Sequence, residues 1–143
     1  MSLRDTFPIA QFSPPATEQL IAEAESALGI TLPKTLRNLY LECDGFREDR
    51  GHAKYLFSLL DEDYIGSLVT MTRYFWNEVK TPCLMPFVFF GSSSGDECWG
   101  ISWQHPHEII AYHHQMEDKY EKVGSSILDV WKANYDLYDE IDQ

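Results

Sequence analysis

The sequence predicts an α+β fold: a single domain with a mostly antiparallel sheet of about four to six strands and about four packed helices. Three observations carry this. Apolar residues recur at helical spacing in four separate segments. Short runs rich in aromatic and β-branched residues end at glycine, proline or acidic turns. The segments follow the order αα-β-α-βββ-α, and successive strands parted only by short breaks pair antiparallel. A chain of 143 residues, 44% hydrophobic and 14% aromatic, can bury a sizeable core as one domain. We place the domain at 1–143, with its core at about 17–139.

The first dozen residues are weakly patterned, and Pro14-Pro15 punctuates them. Thr17 to Leu28 reads as a helix, with Leu20, Ile21, Ala24 and Leu28 on one stripe and Gly29 as its left-handed stop. A second helix runs from Pro33, suited to a first helical position, to about Cys43. The short connector makes the two an α-hairpin, ended by Asp44-Gly45. Phe46–Lys54 reads as a charged loop, Tyr55–Leu60 as a short strand and Asp61-Glu62-Asp63 as an acidic turn. Ile65, Leu68, Val69, Thr72, Phe75, Trp76 and Val79 give a third amphipathic helix from Gly66 to about Val79. Thr81-Pro82 stops it.

Leu84–Phe90 is apolar at both parities, which predicts a central strand buried on both faces. A Ser-rich turn from Gly91 to Gly95-Asp96 leads to a returning strand, Glu97–Trp103. His105-Pro106 is a break, Glu108–His113 a further strand, and Gln115–Gly124 a polar loop. Ser126 and Asp129 fit a capping pattern that opens a last helix, with Ile127, Val130, Trp131, Asn134, Tyr138 and Ile141 on one face.

Several features invite an enzyme reading. Gly91-Ser92-Ser93-Ser94-Gly95 matches G-x-S-x-G and makes Ser93 the candidate nucleophile of a small hydrolase. That motif works on a strand-to-helix turn, where the helix N-terminus supplies the oxyanion hole. Here the following residues read as strand, which favours a polar turn whose glycines supply positive φ. His105, His107, His113 and His114 suggest a metal-dependent enzyme. No Cys or carboxylate stands at a recognised ligand spacing, and Pro106 implies a turn, so neither metal nor cofactor is expected. Asp96 and Glu97 are adjacent and point to opposite faces of a strand, a poor geometry for paired acid–base work. Cys43, Cys83 and Cys98 form no CxxC pair and read as buried, reduced thiols.

Trp76 and Trp131 lie on apolar helical stripes and are expected in the core. Trp99 and Trp103 share strand parity with Ile101, so all three should face one side. Covered by helices they are core; uncovered, they form an aromatic binding surface. Trp103 is expected in the core, and Trp99, nearer the turn, is the candidate contact.

The formal net charge of −12 is unevenly spread. Residues 1–90 hold 12 acidic and 8 basic side chains, and residues 91–143 hold 11 and 3. Such a field repels nucleic acid and anionic membranes. It attracts a basic protein, or serves solubility alone. No apolar run nears the roughly 20 residues that span a bilayer, and the N-terminus lacks a signal-peptide core. A cytoplasmic location is expected; the sequence leaves the oligomeric state open.

Two blocks together resemble a known family. Ala27-Leu28-Gly29-Ile30-Thr31-Leu32-Pro33, then Leu36–Leu41 and Asp44-Gly45, form the first. Pro86-Phe87, Gly91, Gly95-Asp96 and Trp99–Trp103 form the second, with a helix after Ser126. In order and spacing they resemble the SUKH superfamily, the Smi/Knr-like proteins, over about Thr17 to Asp139. Asp44 stands where that family more often shows Asn.

The resemblance implies a non-catalytic α+β binding fold. Many bacterial members look like immunity proteins that neutralise a cognate toxin domain, often a nuclease or deaminase; fungal relatives look like regulators of cell-wall assembly. An immunity protein acting on a basic toxin domain is therefore the leading expectation, and an intracellular regulatory scaffold without a toxin partner is the alternative. The expected partner surface is acidic. It includes Asp96, Glu97 and Trp99, with Asp61, Glu62 and Asp63 as a second contact.

Overall fold

Among the described residues, seven strands form one antiparallel sheet in which every strand lies beside its sequence neighbour. This computed structural model describes residues 10–48, 54–60, 67–78, 82–93, 97–105, 108–112 and 120–131. The strands are β1 (Gln11–Phe12), β2 (Phe46–Glu48), β3 (Lys54–Leu56), β4 (Phe87–Ser93), β5 (Cys98–Ser102), β6 (Ile109–Tyr112) and β7 (Glu121–Gly124). The helices are α1 (Glu18–Leu28), α2 (Lys34–Glu42) and α3 (Leu68–Arg73), and residues 127–131 are helical. The α+β class is as expected, but the sheet has more strands than the four to six read from the sequence. The charged loop at Phe46–Lys54 contains β2 and the first residue of β3, and the polar loop at Gln115–Gly124 contains β7. β1 had no counterpart in the sequence reading.

The α-hairpin is inserted between β1 and β2, and its two ends are zipped by Ser13 N–H to Gly45 O at 3.0 Å and Asp44 N–H to Pro14 O at 2.8 Å. Helix α1 starts where the Thr17 hydroxyl accepts from Leu20 N–H at 3.1 Å. It stops at Gly29, whose φ of 72° is the left-handed conformation glycine adopts without a Cβ penalty. The Glu25 carboxylate then accepts from Leu32 N–H at 2.7 Å and clips the connector. Pro33, expected at the first helical position, stands one residue before it and makes no side-chain capping bond. Arg37 of α2 pairs with Glu18 of α1.

Asp44 does more than stop α2. Its side chain accepts from Leu59 N–H at 2.8 Å, and its carbonyl accepts from the Ser58 hydroxyl at 2.8 Å. The hairpin is thereby fastened to the segment after β3. Tyr40 donates to Phe57 O at 2.7 Å from a fully buried position. Burial, then the nearby Asp44 and Cys43, push its phenol well above its usual pKa.

β4 is central, as expected, and Phe87 to Phe90 are all buried. It is shorter at its start than the predicted strand, because Pro82–Leu84 forms a 3₁₀ turn. It also runs through Gly91 to Ser93 rather than ending there. A register shift between Phe89 and Gly91 leaves Phe90 as the extra residue of a bulge against β5. Two groups satisfy the backbone there: the Thr72 hydroxyl accepts from Phe89 N–H at 3.0 Å, and Phe90 O accepts from Phe57 N–H at 2.8 Å.

Each face of the sheet has its own core. On one, Val88, Phe90, Trp99, Ile101, Ile109 and Ala111 pack with residues of α1, α2 and the C-terminal helical segment. On the other, Phe87, Phe89, Cys98, Ile110 and Tyr112 pack with Phe75 and Leu84. Helix α3 spans both. Leu68 and Val69 join the first core, while the chain widens into a π turn at Tyr74–Glu78 and delivers Phe75 to the second. There Phe75 lies 4.1 Å from the Phe89 ring and meets Tyr112 edge-on.

Candidate functional site

The β4–β5 hairpin has two ends, and they differ in how their tryptophans are covered. Asp96 lies outside the described residues, as do Asp61, Glu62 and Asp63. Glu97 is half-buried immediately before β5. Trp99 is 3% exposed, so it is not the surface aromatic expected from its place near the turn. The C-terminal helical segment covers it: Trp131 meets Trp99 edge-on at 6.4 Å and also packs on Phe46 and Phe90. The Trp99 indole nitrogen has no hydrogen-bond partner among the described residues.

Gly91 stands opposite Trp99 in the register. A Cβ there would lie 2.3 Å from Tyr55 O and 3.2 Å from Trp131 Cζ2. Its glycine is required by close approach of a strand and a ring, not by a positive-φ turn. Ser93 follows at the end of β4, paired with Lys54 of β3. The next described element is strand β5, so the strand-to-helix turn of a nucleophile elbow is not formed.

The far end of the hairpin reverses the expectation for the tryptophans. Trp103, expected in the core, is half-buried. Its backbone N–H donates to Pro86 O at 3.1 Å and its indole N–H to Met85 O at 3.3 Å. Trp76, also expected in the core, is half-buried, with its indole N–H donating to Phe87 O at 2.9 Å. Met85 is 46% exposed beside them. Trp103 borders an open hollow of about 660 Å³ together with Glu25, Gly29, Ile30 and Thr31. A second, smaller groove of about 280 Å³ lies between Asn38, Glu42, Ser126 and Leu128.

His105 is exposed on a turn held by the Ser102 hydroxyl, which accepts from His105 N–H at 2.8 Å. His107, His113 and His114 lie outside the described residues. Among the described residues no three His, Cys, Asp or Glu side chains gather as a metal site. Cys43 and Cys98 are buried and Cys83 is half-buried. Near β7, the Tyr120 hydroxyl donates to the Glu108 carboxylate at 3.3 Å, and burial with that carboxylate raises the phenol pKa. No described helix is long and apolar enough to cross a membrane.

The inserted α-hairpin, the antiparallel meander and the helix closing over Gly91 together define an α+β domain. Residues 15–131 match the SMI1 / KNR4 family (SUKH-1), and the chain belongs to that family. A comparison with curated proteins found no match.

Proposed function

We propose that this chain is a non-catalytic protein-binding module of the immunity type. It binds a cognate toxin domain of the nuclease or deaminase class in the cytoplasm and neutralises it by steric and electrostatic blockade. Membership of the SMI1 / KNR4 family over residues 15–131 is the observation that carries this reading. The net charge of −12 supports a basic partner, because complementary fields steer encounter. On this reading Asp96 and Glu97, with Asp61, Glu62 and Asp63, form an acidic rim around the contact. Trp99 is withdrawn from that surface, since its side chain is core.

The test begins with the gene beside this one. If it encodes a toxin domain, the two proteins are co-expressed and the toxin is assayed alone and in complex. Restored growth, a stable complex and an inhibited toxin are expected. A toxin that remains active and unbound at micromolar concentrations of this protein overturns the immunity role.

A further inference from the structure

The hollow beside Trp103 has no part in the acidic-turn contact, yet it is chemically distinctive. Three features border it. The first is the Trp103 indole, fixed at its nitrogen by Met85 O and half-exposed. The second is the Glu25 carboxylate, oriented by its bond from Leu32 N–H. The third is the C-terminus of α1, an 11-residue helix with no basic residue in its last turn. Such an end carries about half a negative charge on its carbonyls. One of these, Ala27 O, already accepts from the Arg73 guanidinium at 2.7 Å, so the helix end is partly neutralised and the Glu25 carboxylate carries the negative charge of the rim. The exposed Ser26 and Thr31 complete the rim.

We infer that this hollow seats a basic side chain, arginine in preference to lysine, presented by the protein partner. A planar guanidinium can lie on the indole face while its N–H groups donate to the Glu25 carboxylate. Lysine satisfies the charge but not the planar stacking. A purely apolar anchor would desolvate Glu25 without replacing its lost water contacts. This inference rests on the reading of the chain as a module for a basic protein. It adds a contact at the end of the hairpin opposite the Asp96–Glu97 turn.

The test uses the whole protein and a defined probe, the tripeptide acetyl-Gly-Arg-Gly-amide, with its neutral citrulline analogue as control. NMR follows the indole N–H signals, and Trp103→Phe assigns the relevant one. The arginine peptide is expected to shift the Trp103 signal progressively into the tens-of-millimolar range. The shift should be about threefold smaller in Glu25→Gln, the loss of one weak ion pair. Glu25→Gln keeps an acceptor for Leu32 N–H, so the connector stays clipped. Thr31→Lys, on an exposed position, should abolish the response while leaving the melting temperature unchanged. An equal response to the citrulline peptide, or a response confined to Glu97 and β5 near the turn, overturns the inference. That failure would leave partner capture intact. Conversely, a toxin that ignores the protein overturns the immunity reading without altering the peptide titration.

Discussion

The two ends of the β4–β5 hairpin carry the same kinds of residue and put them to opposite uses. At the turn end, Trp99 is sealed under Trp131, and Gly91 lets that ring approach the strand. At the far end, Trp103 and Trp76 are tied to backbone carbonyls but stay half-exposed beside Met85. Strand parity puts Trp99 and Trp103 on one side of the sheet. Parity says nothing about which part of that side a helix will cover. The segment at 127–131 reaches Trp99, while Trp103 borders an open hollow beside the connector between α1 and α2. An exposed aromatic near a turn and a buried one at a strand end are thus interchanged by where a distant helix lands.

The largest expected effect separates the two tryptophans by stability. Trp99→Ala should cost about 3–5 kcal/mol, as large-to-small changes in a closed core do. Trp103→Ala should cost only about 1 kcal/mol, because its ring is partly solvated already. Urea denaturation of both variants measures the difference. Equal costs would break the comparison.

Next comes Gly91→Ala. The added methyl group must displace Tyr55 O or the Trp131 ring, so a loss of about 1–3 kcal/mol is expected from overpacking. A stability close to wild type would show that Trp131 does not close this end as tightly as the geometry implies.

The sealed end extends through Phe57, which donates to Phe90 O, to the buried Tyr40 hydroxyl. The Tyr40 pKa is raised in the folded state, so the unfolded chain loses this proton first as pH rises. Its contribution is fully present below about pH 10 and is lost above it, at up to about 1.4 kcal/mol per pH unit. Tyr40→Phe should cost about 1–2 kcal/mol at neutral pH, since Phe57 O loses its donor, and should make the alkaline slope shallower. Tyr120, also raised, keeps part of that slope. Denaturation midpoints from pH 7 to 11 check both statements. A slope unchanged by the substitution would assign the alkaline loss to other groups.

The smallest effects sharpen the comparison in binding. Asp96→Asn and Glu97→Gln should slow association with a basic partner a few-fold at low salt. The deficit should vanish as salt screens exposed charges beyond about 8 Å. Glu25→Gln should instead hasten dissociation, because its charge is held against the partner rather than merely steering it. Stopped-flow association and dissociation traces across salt concentration distinguish the two. An identical kinetic signature for all three would mean that the ends do not differ in role.

Much of the architecture was legible in the residues. Thr17 and Gly29 mark the ends of α1 because caps and left-handed stops are local chemistry, satisfied within a few residues, and Pro33 and Asp44-Gly45 bracket α2. The apolar run Leu84–Phe90 announced a central strand because both of its parities are hydrophobic, although the strand itself begins at Phe87. By contrast β1, β2 and β7 were hidden. They span two to four residues and include Arg47, Glu48, Glu121 and Lys122, too short and too charged to display alternation. Their strand geometry comes from backbone pairing with a neighbour, which side-chain pattern does not report. The role of Asp44 as a clamp on Leu59 was also invisible, since its partner lies 15 residues away and is brought close by folding.

The sequence by itself determined the α+β class, the family, the α-hairpin and the net acidity, because each depends on local spacing, ordered motifs or summed charge. Tertiary structure alone decided why Gly91 is glycine, that Trp99 is core while Trp103 borders a hollow, and that Glu25 and the end of α1 share that hollow. Those outcomes depend on which surfaces meet across the fold, and a surface is covered only when a distant element packs against it.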